Sequence, residues 1–217
     1  MEWIPRANWT DPLAVERIAA LVGRGGLLAY PTDTLYGLGG DYLDPGVQAR
    51  LRELKGREGS PFSAAVGNLA MALEIAQPCG PLFARMLAEL GGRAMTFILP
   101  ARGGARAGGR PTVGVRLPDL PPLLALIAAS GRPWITTSAN VSGAPSLQDP
   151  AAIAAAFPGL DLLLDGGTLP ASQGSTIVDL SGPSPVLARR GDRGDEVAAW
   201  LAENSRHPLL DSGEGAR

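Results

Sequence analysis

Apolar residues recur at helical spacing in stretches that open with one shared dipeptide. After Asp11-Pro12, residues Leu13, Ile18, Leu21 and Val22 mark a face that runs to Gly23; after Asp44-Pro45, Val47, Leu51 and Leu54 mark another that runs to Lys55-Gly56. A third pair, Asp149-Pro150, opens a third helix. The device is chemical: the Asp carboxylate takes an orphan N–H, and proline at the first helical position has none to leave unpaired. Further helical patterns cover 69–76, 81–90, 121–130 and 195–202. Between them lie short apolar runs bounded by turn residues, which predict strands over 26–30, 95–100, 112–116, 133–137, 161–164, 175–180 and 185–188. Helices and strands alternate while the late strands follow one another closely, so the chain reads as α/β with a mixed sheet.

Composition narrows the class. The chain has 217 residues, enough for one large domain, taken here as 1–204, with a polar, frayed tail over 205–217. Its 29 Gly and 20 Pro fall between apolar runs without a strict period, as turns and caps do. A net charge of -2 gives no bulk attraction to nucleic acid or to an anionic membrane. Local basic clusters remain at Arg102, Arg106 and Arg110 and at Arg189, Arg190 and Arg193, each equally readable as a solvated loop. Cys79 and His207 are single residues, so neither a disulfide framework, nor a Cys/His zinc site, nor a Ser-His-Asp triad is expected. The opening Met-Glu-Trp-Ile-Pro-Arg lacks a signal-peptide pattern and no apolar run is long enough to span a bilayer. The expectation is a soluble cytoplasmic protein with no membrane partner.

The candidate chemistry sits in polar islands at strand exits. Tyr30-Pro31-Thr32-Asp33-Thr34 follows one strand, and Thr137-Ser138-Ala139-Asn140 follows another. Lys55-Gly56-Arg57 lies at a helix exit, and Gly174-Ser175-Thr176 precedes a late strand. Two cations, hydroxyls and an amide suit phosphate oxygens, and ligands of open α/β sheets sit beyond strand ends. Each island also has a plainer reading: cations at 55 and 57 complement a helix dipole, and Ser138 and Asn140 bond their own turn. Neither a P-loop nor a dinucleotide fingerprint is present. Arg116 ends the apolar strand Thr112 to Arg116, where a cation needs a cleft or a partner; a substrate carboxylate and a structural salt bridge both fit.

Taken in order, Tyr30 to Leu38, Lys55-Gly56-Arg57, Val113 to Pro118, Thr137 to Asn140, Asp165-Gly166-Gly167 and Ser175 to Asp179 resemble the YrdC/Sua5/YciO family of threonylcarbamoyl-AMP synthases, from about Gly25 to Gly191. The resemblance implies one twisted α/β domain with a large concave cleft. It implies a nucleotidyltransferase that joins L-threonine, bicarbonate and ATP into threonylcarbamoyl-adenylate and pyrophosphate for t6A modification of tRNA. By position it implies that Thr32, Arg116, Thr136 and Ser175 hold threonine, and that Arg57, Thr112, Ser138, Ser146 and Arg189 hold ATP. Lys55 and Asn140 complete the ATP site, Lys55 and Arg57 supply catalytic charge, and Mg²⁺ rides on the ATP phosphates rather than on protein His or Cys. tRNA or double-stranded RNA and the t6A transferase machinery are the implied partners. Three departures stand out: the loop Glu58-Gly59-Ser60-Pro61 is one residue short, Phe62-Ser63-Ala64-Ala65 lacks the family's His, and Gly91-Gly92-Arg93-Ala94 replaces a Pro-Gly-Pro. The resemblance is to the short form of the family, so the expectation is a chain without a second domain after Gly191. The alternatives are a divergent YciO-like paralogue binding nucleotide or RNA, and a double-stranded-RNA or tRNA binding module.

Overall fold

The Asp-Pro pairs cap helices as their chemistry dictates. In the computed structural model, which describes residues 1–56, 61–77, 80–103 and 111–204, the Asp11 carboxylate accepts from the backbone N–H of Leu13 and Ala14 and starts α1 (Pro12–Gly23). Asp44 does the same for α2 (Pro45–Lys55), accepting from Gly46 and Val47, and Asp149 accepts from Ala151 to start α6 (Pro150–Ala156). The others are α3 (Leu69–Ile75), α4 (Gly80–Leu90), α5 (Pro121–Ser130) and α7 (Gly194–Asn204). Helix α2 ends where Gly56 takes a left-handed conformation (φ 58°), which an L side chain resists. Arg57, the 58–60 loop, Cys79, Arg106, Arg110, His207 and the 205–217 tail lie outside the described residues.

Among the described residues ten strands form one sheet. They are β1 (Glu2–Pro5), β2 (Leu28–Pro31), β3 (Tyr36–Gly39), β4 (Ser63–Ala65), β5 (Met95–Pro100), β6 (Thr112–Arg116), β7 (Trp134–Ser138), β8 (Leu162–Asp165), β9 (Thr176–Asp179) and β10 (Val186–Arg189). Their order is β1-β8-β2-β3-β7-β4-β6-β5-β9-β10. The sheet is mixed: β1/β8, β2/β8, β4/β6 and β5/β9 pair parallel, and β2/β3, β3/β7, β4/β7, β5/β6 and β9/β10 pair antiparallel. Strands β1, β3 and β4 add to the seven expected from apolar runs. They are short, and β3 alternates with glycine, so their pairing comes from neighbours distant in sequence rather than from local propensity.

The core runs through the middle of this sheet. Leu28, Ala29, Tyr30, Leu38, Trp134, Ile135 and Leu162 to Leu164 are fully buried. Tyr30 and Trp134 meet edge to face with centroids 5.3 Å apart, and helices α1 and α5 pack on one another. Strand β3 comes so close to β7 that a Cβ at Gly39 would lie 2.1 Å from the Ile135 carbonyl oxygen. Gly39→Ala is therefore expected to cost about 3 kcal/mol, since backbone must move to admit it; thermal unfolding checks this, and an unchanged melting temperature would count against the β3/β7 approach. That approach carries Tyr36 and Gly37 up to the strand exits where the polar islands stand.

Candidate active site

Three of the four polar islands meet at one place, with Arg116 beside them. Thr32, Arg116, Thr136, Ser138, Ser146, Ser175 and Arg189 all line a single cleft of about 290 Å³, together with Thr34, Leu35, Tyr36, Ser63, Thr96 and Gln173. The turn between β2 and β3 brings Thr32 and Thr34, the end of β6 brings Arg116, β7 brings Thr136 and Ser138, and the approach to β9 brings Ser175.

Each side chain is held by its neighbours. Thr32 Oγ1 accepts from the N–H groups of Thr34 and Leu35 (both 3.2 Å) and donates to the Leu35 carbonyl at 2.7 Å, so this hydroxyl shapes the turn that carries it. Arg116 meets both demands that its position raised. Its Nη2 donates to Asp33 Oδ1 at 2.6 Å and to Thr34 Oγ1 at 2.7 Å, while its buried Nε has no hydrogen-bond partner among the described residues. Asp33 is fixed in turn by the Ala94 N–H, 2.6 Å from Oδ2. The pair is nearly dry, with side chains 8% and 5% exposed. A buried donor left open beside a cleft is a place for a ligand acceptor.

A second cation approaches from the other side. Arg189 donates from Nε and Nη2 to the Ser175 carbonyl (3.1 and 2.7 Å) and from Nη2 to Ser175 Oγ (3.1 Å), and Ser175 Oγ lies 2.7 Å from Thr96 Oγ1. Burial, then repulsion from Arg116, holds the Arg189 guanidinium below its ordinary pKa, with Asp192 opposing. Two guanidiniums and a set of hydroxyls therefore face a cleft whose described lining includes no carboxylate. This is a site for an anion with several acceptor oxygens.

Lys55 stands elsewhere than expected. It is 1% exposed, and its ammonium donates to the Ser138 carbonyl, to the Asn140 carbonyl at 2.8 Å and to Asn140 Oδ1 at 3.1 Å. Its charge is committed to the loop after β7 and it is absent from the cleft lining, as is Asn140. Thr112 lies at the far end of β6 from Arg116, opposite Pro100, and is also outside the lining. Arg57 lies outside the described residues. Among those described, no cluster of His, Cys, Asp or Glu is arranged to hold a metal.

Sequence reading missed Asp33, Thr34, Thr96 and Gln173. Asp33 stood in a quoted island without a role, because its partner Arg116 is 83 residues away. The signal available was the pairing of needs: a cation at a buried strand end and an acid at another strand exit. Tyr36 also gains a part: its hydroxyl donates to the Gly167 carbonyl (2.8 Å) and accepts from the Gly166 N–H (2.9 Å), pinning the Asp165-Gly166-Gly167 turn beside β3. Burial pushes this phenol up to about 12.

A family profile described as "Telomere recombination", Sua5/YciO/YrdC, matches residues 20–191. The chain is 36% identical over 202 residues to a threonylcarbamoyl-AMP synthase of Pyrococcus abyssi (strain GE5 / Orsay), covering 89% of this chain and 59% of that protein. It is 30% identical over 188 residues to a threonylcarbamoyl-AMP synthase of Bacillus subtilis (strain 168), covering 84% and 54%. The chain thus spans between half and two thirds of the length of these two relatives. The structure of P. abyssi Sua5 complexed with L-threonine superposes with a TM-score of 0.82 at 29% identity, covering 99% of this chain and 64% of that one.

Proposed function

This chain belongs to the Sua5/YciO/YrdC family, and from that premise we propose that it makes threonylcarbamoyl-adenylate and pyrophosphate from L-threonine, bicarbonate and ATP. The observation that carries the reading is Arg116: a buried guanidinium, tied on one side to Asp33 and Thr34 and open at Nε, on the wall of a hydroxyl-lined cleft. A relative of the same fold has been solved complexed with L-threonine, and a free amino acid brings the carboxylate that such a group recognises.

The chemistry follows from the residue types. Threonine's carboxylate docks on Arg116 with the hydroxyls of Thr32, Thr136 and Ser175 around it. Bicarbonate, once protonated, loses water to give CO₂, and threonine's amine adds to that carbon and loses a proton to give a carbamate. A carbamate oxygen attacks the α-phosphorus of ATP and pyrophosphate leaves. The step demands alignment and charge neutralisation more than proton transfer, which a cleft of guanidiniums and hydroxyls supplies without histidine. Arg189 and Ser146 serve the nucleotide here, and Arg57 retains the phosphate role that the resemblance implies. Mg²⁺ suits this site as a passenger on the phosphate oxygens: the described lining offers hydroxyls and cations, whereas Mg²⁺ prefers anionic oxygen. When bound, it would add positive charge at the triphosphate. The adenylate is a mixed anhydride and so an activated group donor, and the resemblance makes a tRNA-modifying transferase its consumer. No helix among the described residues is long and apolar enough to cross a membrane, and the setting proposed is the cytoplasm.

Pyrophosphate release from ATP with threonine and bicarbonate omitted in turn tests the reading. Release is expected only with both present. Release that ignores either one would favour the paralogue reading, and salt-sensitive RNA binding without turnover would favour the RNA module.

A further inference from the structure

Among the described residues Ala94 is the one residue other than glycine with a positive φ, 50°. It is buried, and an L side chain takes this conformation at a cost in free energy. The turn that holds it closes from Gly92 to Met95, whose N–H donates to the Gly92 carbonyl at 3.2 Å. In such a turn the sign of φ at the third position decides which way the middle peptide faces. Here that peptide joins Arg93 to Ala94, and a charged group holds each of its ends. The Ala94 N–H donates to Asp33 Oδ2 (2.6 Å), and the Arg93 carbonyl accepts from Arg193 Nη1 (3.1 Å). Turned over, the peptide would set a carbonyl oxygen against a carboxylate and an N–H against a guanidinium. Arg193 is itself fixed, donating from Nη1 to the Leu90 carbonyl (2.6 Å) and from Nε to Glu196 (2.6 Å).

We infer that Arg193 and Ala94 are positioning residues for the amino-acid end of the cleft: by holding the Arg93–Ala94 peptide they seat Asp33, and Asp33 aims the Arg116 guanidinium. The inference rests on the synthase reading and adds to it two residues outside the cleft lining. Arg193 holds the Arg93 carbonyl against the left-handed cost at Ala94. The N–H of the same peptide then fixes Asp33 Oδ2. Asp33 Oδ1 takes Arg116 Nη2 at 2.6 Å, which leaves Nε as the open donor. With the Arg93 carbonyl released, Ala94 relaxes to negative φ and its N–H turns away from Asp33. The carboxylate loses its seat, and the guanidinium moves with it. Arg189 and Ser146, which serve the nucleotide, take no part in this relay, so threonine use changes and ATP use does not. The turn lies where Gly91-Gly92-Arg93-Ala94 stands in place of the Pro-Gly-Pro that the resemblance implies, and proline has no N–H to give.

A suppressor pair tests the relay. Steady-state pyrophosphate release is measured for wild type, for Arg193→Gln, and for Arg193→Gln combined with Ala94→Gly. Arg193→Gln is expected to raise the threonine KM about tenfold, the fold-change equivalent to the cost of one left-handed residue, with kcat and the ATP KM close to wild type. Adding Ala94→Gly is expected to bring the threonine KM most of the way back, because glycine keeps the left-handed turn without help from the arginine. An arginine that only braced the fold would lower the melting temperature, and glycine would not restore threonine use. Hydrogen exchange at the amide of position 94 supplies a readout that needs no turnover. Exchange is expected to be slow in wild type, fast in Arg193→Gln and slow again in the double variant. An unchanged threonine KM in Arg193→Gln, an equal rise in both KM values, or no recovery in the double variant overturns the inference. So does a wild-type amide at position 94 that exchanges as if unprotected, whether or not the variants fold. Failure of the synthase reading looks different, as wild-type pyrophosphate release that needs neither threonine nor bicarbonate, while the amide still reports which way the peptide faces.

Discussion

Replacing Arg116 with alanine is expected to raise the threonine concentration needed for half-maximal turnover by about tenfold to a hundredfold, because the charge-assisted hydrogen bond from its open Nε to a carboxylate disappears. The same change strands Asp33, whose side chain is 5% exposed and whose other oxygen is held by the Ala94 N–H. An uncompensated buried carboxylate costs about 3–5 kcal/mol, so Arg116→Ala also lowers the melting temperature. The two losses are separable. Adding Asp33→Asn to Arg116→Ala removes the stranded charge while keeping an acceptor for Ala94, so stability returns in part and threonine use does not. A double variant that regained threonine saturation would show that Arg116 only braces the turn. Unchanged threonine saturation in the single variant would remove the clamp altogether.

Lys55→Met is expected to reduce turnover by orders of magnitude through the loop rather than through the phosphate. The substitution keeps the buried stem and deletes an ammonium that serves two carbonyls and one side-chain amide. Leaving those acceptors short costs about 1–3 kcal/mol apiece, so Ser138 and Asn140 lose their fixed geometry. Lys55→Arg does not rescue, since a planar fork cannot converge on three acceptors grouped about one point. Steady-state kinetics with thermal unfolding read both effects; wild-type turnover in Lys55→Met would mean that the loop holds its shape without the cation.

The two arginine-lysine cases show what sequence could and could not carry. The Asp-Pro caps, the apolar stripes of α1 and α2 and the strand ending in Arg116 are local, and their spacing alone located them. Strands β3 and β4 were not legible, because Tyr36-Gly37-Leu38-Gly39 and Ser63-Ala64-Ala65 have little β propensity and owe their state to partners such as β7. The islands named the polar residues of the cleft, and the strand-exit argument placed them near one another. It could not orient them. Lys55 at a helix exit reads as a phosphate-binding cation or a complement to the helix dipole until the αL turn at Gly56 and the β7 loop enclose it. Asp33 and Arg116 could be matched only through a fold that closes 83 residues of chain.

Product identity is the most direct test of the whole account. The chain is incubated with ATP, isotope-labelled bicarbonate and separately labelled threonine, and the products are resolved by liquid chromatography and mass spectrometry. One adenylate carrying both labels, formed together with pyrophosphate, is the expected product. A threonyl-adenylate without bicarbonate carbon, or ATP recovered intact beside an otherwise folded protein, would contradict it.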